Sequence, residues 1–175
     1  MATTEGVNRG DGVGGRLAFL AIAVLLGALV IIATGLEWGS LSVHSRLVVS
    51  ESGLGEWQGV AVLIAAVVGL LVIGFAIALG RPAIAAMGAL VCGLVITAMA
   101  IAEIVHLVTR PADIAAGVRA GAAAIPLKGY RVPLIESSVG PGTWLALIAG
   151  MLLALVGLLS VIIPAWRARR GTARG

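Results

Sequence analysis

The stretch PAIAAMGALVCGLVITAMAIAEIVHLVTR, residues 82–110, decides how this chain is read. Its first 21 residues carry no charge, and at 1.5 Å of rise per residue they cover about 30 Å, the thickness of a bilayer's hydrocarbon core. The stretch then ends in Glu103, His106 and Arg110, which bring the only carboxylate and the only histidine found inside any hydrophobic run. On a helix, residues three, four and seven apart share a face. These three fall within an arc of about 60°, near the angles of Ala85, Gly88 and Cys92, with Leu90, Leu94, Ile101 and Val108 opposite. The polar stripe therefore continues a small-residue face that is expected to point into a bundle.

Working outward, three more apolar runs of membrane length appear, so that spans are expected at about 17–36, 59–79, 83–109 and 143–163. Gly80-Arg81-Pro82 joins the second and third and makes them antiparallel neighbours, with Pro82 suited to the first turn of a helix. The whole chain agrees. Of its 175 residues, 60% are hydrophobic and 11% charged, and the mean hydropathy is +1.12. A soluble domain carries about 25% charged residues, and no soluble fold of this size buries so much apolar surface. The fold class is an all-α membrane protein, a four-transmembrane-helix bundle with two extracytoplasmic loops. Residues 1–15, polar and glycine-rich, are expected to form a disordered cytoplasmic tail, and residues 167–175 a basic one. A cleaved signal peptide at the first run is disfavoured, because the run exceeds the usual ~7–15 apolar residues and no Ala-x-Ala site follows.

The loops carry weaker signals. Leu41, Val43, Leu47 and Val49 alternate with His44 and Arg46, hinting at a short strand or hairpin, and Gly53 and Gly55 mark a turn. In the second loop, Ile114, Val118 and Ile125 sit near helical spacing after Pro111, which predicts a short amphipathic helix at the membrane surface. The fourth run is expected to stop at Pro164. Small residues at four-residue spacing offer close helix contacts: Ala146, Gly150 and Ala154 with Gly157; Ala61, Ala65 and Gly69; and Ala85, Ala89, Gly93 and Thr97.

The formal charge of +4 and pI near 10.6 do not point to nucleic acid, because the basic residues flank apolar runs. There they orient helices and meet anionic headgroups. With both termini on one side, that side holds Arg9, Arg16, Arg81, Arg167, Arg169, Arg170 and Arg174 in short flanks. The other holds Arg46, Arg110, Arg119, Lys128 and Arg131 in longer loops, so the termini are expected inside, at the plasma membrane. Trp38, Trp57, Trp144 and Trp166 at helix ends read as an aromatic belt. Eleven of the twelve basic residues are arginine, which with abundant Ala, Gly and Val fits a high-GC bacterial genome.

Chemistry is sparse. Cys92 is the only cysteine, so no internal disulfide or cysteine-rich metal site forms, and in an apolar run it acts as a small hydrophobe. One Glu-x-x-His pair is half of what a di-iron bundle needs. A b-type haem needs axial ligands, and the other histidine, His44, is in a loop. No nucleophile elbow, Walker A loop or zinc spacing occurs, and Ser137 and Ser138 read as the polar approach to a helix. No catalytic residue, cofactor or metal is expected. The candidate polar or interaction site is Glu103, His106 and Arg110 with His44 and Arg46. An ionisable group in a membrane helix marks a functional site by default, but Glu103 lies about 31 Å from Pro82, near the outer boundary. There it serves either as a snorkelling anchor, paired with Arg110, Arg46 or Arg119, or as a ligand, proton or partner site.

Three motifs carry a family likeness: Thr34-Gly35-Leu36-Glu37-Trp38, Ser52-Gly53-Leu54-Gly55-Glu56-Trp57-Gln58-Gly59, and Val139-Gly140-Pro141-Gly142-Thr143-Trp144-Leu145-Ala146-Leu147. The chain resembles the small four-helix membrane proteins of actinobacteria, including the group associated with tryptophan-biosynthesis operons. That likeness implies the helical frame and no activity. A claudin-type tetraspan would need a Trp-Gly-Leu-Trp motif and two loop cysteines, and small drug exporters carry a mid-membrane Glu in the first helix. Together these readings predict a non-catalytic accessory or scaffold subunit of an envelope or membrane complex, meeting lipid headgroups and other membrane proteins or its own copies. The alternative is a small transporter or pH-sensing protein using Glu103 and His106.

Overall fold

The structure, a computed structural model, describes residues 10–43, 46–124 and 135–172. Four helices dominate: α1 (Gly10–Gly35), α2 (Trp57–Ala78), α3 (Pro82–Ala124) and α4 (Pro141–Thr172). Each contains a segment long and apolar enough to cross a membrane: Gly14–Gly35, Trp57–Ala78, Pro82–Ile114 and Pro141–Pro164. The chain is a multi-pass membrane protein built as a four-helix bundle. Each helix packs chiefly on two neighbours, so that α1, α2, α3 and α4 form a closed ring with α1 and α3 diagonal.

The α2–α3 hairpin is set by local chemistry. Gly80 takes the left-handed conformation, φ 68°, which a residue with a Cβ adopts only at a cost. This lets the Arg81 N–H reach Ala76 O at 2.8 Å and the Gly80 N–H reach Ile77 O at 2.9 Å, capping the last carbonyls of α2 as a Schellman motif. Pro82 then opens α3, where its missing N–H costs nothing.

Apolar side chains gain nothing by leaving lipid for one another, so the seams depend on close backbone approach. A Cβ on Gly93 would overlap the backbone of Gly150 and Ala154, and one on Gly157 would strike Ala86 and Leu90. Across α2–α3, Gly69 faces Cys92, whose thiol donates to Ala65 O at 3.1 Å. The predicted small-residue faces are the ones that meet: Ala85, Ala89, Ala146, Gly150 and Ala154 are buried, while Leu94, Ile101 and Val108 face outward.

At one end of the bundle lies a three-stranded antiparallel sheet of order β2-β1-β3, made of β1 (Glu37–Val43), β2 (Arg46–Ser52) and β3 (Ile135–Val139). The hinted hairpin in the first loop is β1–β2, with Leu41 opposite Val49. The third strand comes from the second loop and sets Ser40 opposite Ser138, where the two hydroxyls share a hydrogen bond of 2.7 Å. The bundle thus has a sheet end and, where α2 turns into α3, an open end.

Three expected boundaries move. α1 begins at Gly10, inside the expected tail. A helix leaves its first four N–H groups unpaired, and starting early carries them past the apolar run, where unpaired groups would be costly in lipid. The apolar span of the fourth helix ends at Pro164 as expected, but α4 itself runs on to Thr172. The proline takes one N–H from the ladder and crowds the carbonyl four residues back, and the Ala and Arg residues after it are good helix formers that carry the helix on. Among the described residues the expected amphipathic helix is not separate: residues 111–124 continue α3, a single helix of 43 residues with Pro111 inside it, and Ile125 lies outside the described residues. Pro111 cannot donate to the carbonyl of Leu107, and the Ser137 hydroxyl on β3 donates to that carbonyl instead, at 2.6 Å.

Candidate functional site

The sheet end is assembled around Trp38, which is 0% exposed. Its indole N–H donates to Ala33 O at 2.7 Å, and its own carbonyl accepts from the Gly140 N–H and the Thr143 hydroxyl, both at 2.8 Å. Gly53 and Gly142 lie against the ring, where any Cβ would overlap it. The three glycine-bearing motifs thus converge in space on one tryptophan. The aromatic-belt reading is corrected here. Trp57, Trp144 and Trp166 are 65%, 49% and 53% exposed, as a belt requires, but Trp38 follows α1 directly and turns into the space that the glycines leave open. It plugs the bundle.

Beneath the plug is a polar layer. Among the described residues the buried polar side chains are Thr34, Gln58, Glu103 and Thr143, one from each helix. The α2–α3 register that sets Gly69 against Cys92 puts Gln58, eleven residues earlier in α2, at the level of Glu103, eleven residues later in the antiparallel α3. Across the α3–α4 seam, where Gly150 meets Thr97, Thr143 arrives within a turn of the same level. Thr34 is held alongside, since its carbonyl and that of Ala33 abut Gly53 and Gly142. The two threonines are internally satisfied: Thr34 donates to Ile31 O at 2.7 Å and Thr143 to Trp38 O. The other two are not. Gln58 Oε1 and Glu103 Oε2 are buried without a hydrogen-bond partner, and Glu103 is 2% exposed. A buried polar group without a partner costs free energy comparable to a lost hydrogen bond, and a buried charge costs far more.

Arg110, one of the cations expected to pair with Glu103, is engaged elsewhere. Arg110 sits seven residues, about 10 Å, further along α3 and pairs with Glu51 Oε2 at 3.3 Å and Glu56 Oε1 at 3.7 Å. Glu51 comes from β2, and Glu56 sits at the N-cap of α2. A hydrogen bond from the Glu56 carboxyl holds Glu51 below the usual carboxylate range, Arg110 and His106 adding to this against the cost of burial. The same bond, with burial, pushes Glu56 up. Two carboxyls thus share one guanidinium. A small cavity of about 60 Å³ lies beside them, lined by Gly39, Ser40, Glu51, Leu107, Arg110 and Ile114 among others.

The expected stripe is therefore divided. Glu103 faces inward, Arg110 turns to the sheet, and His106 is exposed. Leu107, 4% exposed, continues the inward face and packs on Gly39. A step of four residues from Glu103 stays on the buried row, and the step of three to His106 leaves it. Arg46 lies in β2 with its backbone paired to Val43; its side chain, like those of Arg119 and Lys128 and the whole of His44, lies outside the described residues. Sequence reasoning missed Gln58, Glu51 and Glu56. Gln58 had a signal: it is the chain's only glutamine, and it continues the buried row Val62, Ala66, Gly69, Ile73 and Ala76 of α2. The two glutamates had none, because only the sheet brings them to Arg110.

No protein-family model matches this chain, and no curated protein matches it.

Proposed function

We propose that this multi-pass membrane protein is a non-catalytic accessory or scaffold subunit of a bacterial envelope or membrane complex. In this reading it sits in the plasma membrane with both termini cytoplasmic and the sheet end outward. The observation that carries it is closure: α3 and α4 touch backbone to backbone at Gly93, Gly150 and Gly157, and Trp38 plugs the sheet end. A bundle packed in this way resists the opening that alternating access requires and holds a rigid sheet for contact. The orientation is supported by the seven basic residues in short flanks against five in longer loops. The three motifs around Trp38 support kinship with the small four-helix actinobacterial membrane proteins. Capture of the tagged protein from mild detergent, followed by mass spectrometry, tests the reading. A membrane-protein partner at fixed stoichiometry is the expected result, and recovery of the protein alone at every detergent strength contradicts it.

One observation favours a second reading, a pH-responsive or proton-coupled protein: the unpartnered Glu103 Oε2 in the polar layer. In proteoliposomes, Glu103→Gln and His106→Ala would then abolish any pH-coupled flux. A flux that survives both substitutions removes this reading.

A further inference from the structure

At the open end none of the described residues folds over the helices, and the bundle opens into an apolar groove of about 740 Å³, within the roughly 300–1,000 Å³ typical of small-molecule sites. All four helices line it, including Phe19 of α1, Ile77 of α2, Met87 of α3 and Leu159 of α4. The groove reaches inward to Ala85, which is 0% exposed. Among the described residues its polar side chains are two. Ser160 donates to Val156 O at 2.7 Å and is thereby satisfied. Arg16 stands exposed on the wall, and among the described residues no ion pair engages it. The segments that form the groove, residues 14–22, 77–87 and 156–164, contain Arg16 and Arg81 and no acidic residue.

We propose that this groove is a binding site for an anionic phospholipid, with an acyl chain between the helices and the headgroup phosphate on Arg16. The chemistry matches at both ends of such a molecule. The apolar walls accommodate an acyl chain without cost, as the surrounding lipid does, so the selectivity comes from the headgroup: a guanidinium holds phosphate through paired, charge-assisted hydrogen bonds. A second copy of the chain fits less well. A two-fold interface through this groove would bring one Arg16 toward the other with no carboxylate from the groove to separate them. A zwitterionic lipid would fill the walls but set its own cation beside the arginine.

The site is tested by delipidating the protein in mild detergent, adding back phosphatidylglycerol or phosphatidylcholine, and counting retained lipid by native mass spectrometry. The wild type is expected to keep about one phosphatidylglycerol per chain, at least tenfold in preference to phosphatidylcholine. Arg16→Gln should bring that preference down to about twofold or less while a lipid still binds. Ala83→Phe, at an exposed position on the groove rim, should expel both lipids. Leu71→Phe, on the outward face of α2, should change neither. Circular dichroism and size exclusion identify any variant that has failed to fold, and Arg16→Lys then serves in place of Arg16→Gln, with partial retention expected. Equal retention of the two lipids by the wild type overturns the proposal. So does a lipid-free dimer, or an unchanged preference in Arg16→Gln.

Discussion

The two ends of this bundle are made of the same kind of helix and finish in opposite ways. At the sheet end the chain has two long connections, and it uses them to lay three strands over the helices and drive Trp38 into the gap. At the open end the connection is Leu79-Gly80-Arg81, which caps α2 and has no residues left to cover anything. The closed end can therefore hold polar groups, one per helix, sheltered from lipid and water. Among the described residues the groove at the open end is lined by apolar side chains, with Arg16 on its wall. In an apolar bundle, what a loop can cover decides where polar chemistry sits.

The contrast is sharpest in the core residues of each end. Trp38→Ala removes the plug and should cost about 3–5 kcal/mol, whereas Ile22→Ala on the groove wall, 44% exposed, should stay within about 0.5 kcal/mol. Unfolding in mixed micelles measures both, and similar costs would erase the distinction between the ends. Next in size is the seam that joins them. Gly93→Leu forces α3 from α4 and should cost about 3 kcal/mol, while Gly74→Leu, where a Cβ meets nothing within 4 Å, should be nearly neutral.

A smaller effect tests how the sheet reaches α3. Ser137→Ala leaves the Leu107 carbonyl unpaired and should cost about 1 kcal/mol. In a Pro111→Ala background, where the helix regains its own N–H donor, the same change should cost almost nothing. Equal costs in both backgrounds would mean that the serine does not compensate the proline. The smallest effect is electrostatic. Glu51 is held down, so its contribution is present above the ordinary carboxylate range and fades as pH falls through its folded value. Glu56 is pushed up, so its contribution is present at lower pH and fades as pH rises through its folded value. Sheet-end stability should therefore be greatest between the two values, by under about 1 kcal/mol because the groups are partly solvated. Thermal unfolding of Glu56→Gln should lose the decline on the alkaline side and keep the acid one.

Much of this was legible in the sequence. Four spans, the Gly80 turn and the buried small-residue faces follow from apolar length, glycine chemistry and helical period, all local in the chain. The first hairpin showed in the alternation of Leu41, Val43, Leu47 and Val49. β3 did not, because Ile135-Glu136-Ser137-Ser138-Val139 has no such alternation and is held by pairing with β1. For a similar reason Pro111 is not the break between two helices: Ser137, 26 residues beyond it, repairs its defect. At the candidate site, Glu103 was visible as a lone carboxylate in an apolar run, and its inward direction followed from Ala85 and Cys92. Its company was not visible. That Arg110 is taken by Glu51 and Glu56, and that Gln58 lies at the level of Glu103, depend on β2 reaching Arg110 and on the α2–α3 register, neither of which is written in any one segment.

Accessibility from the two sides of the membrane tests the difference between the ends most directly. In a Cys92→Ala background, single cysteines replace Ser50 on the sheet, Arg81 in the open-end turn and Thr143 in the polar layer, and intact cells are treated with a membrane-impermeant maleimide. The proposed orientation predicts labelling at Ser50→Cys alone, labelling at Arg81→Cys once the cells are broken, and none at Thr143→Cys in either case. Labelling of Arg81→Cys in intact cells would reverse the molecule in the membrane, and labelling of Thr143→Cys from either side would show that Trp38 does not close it.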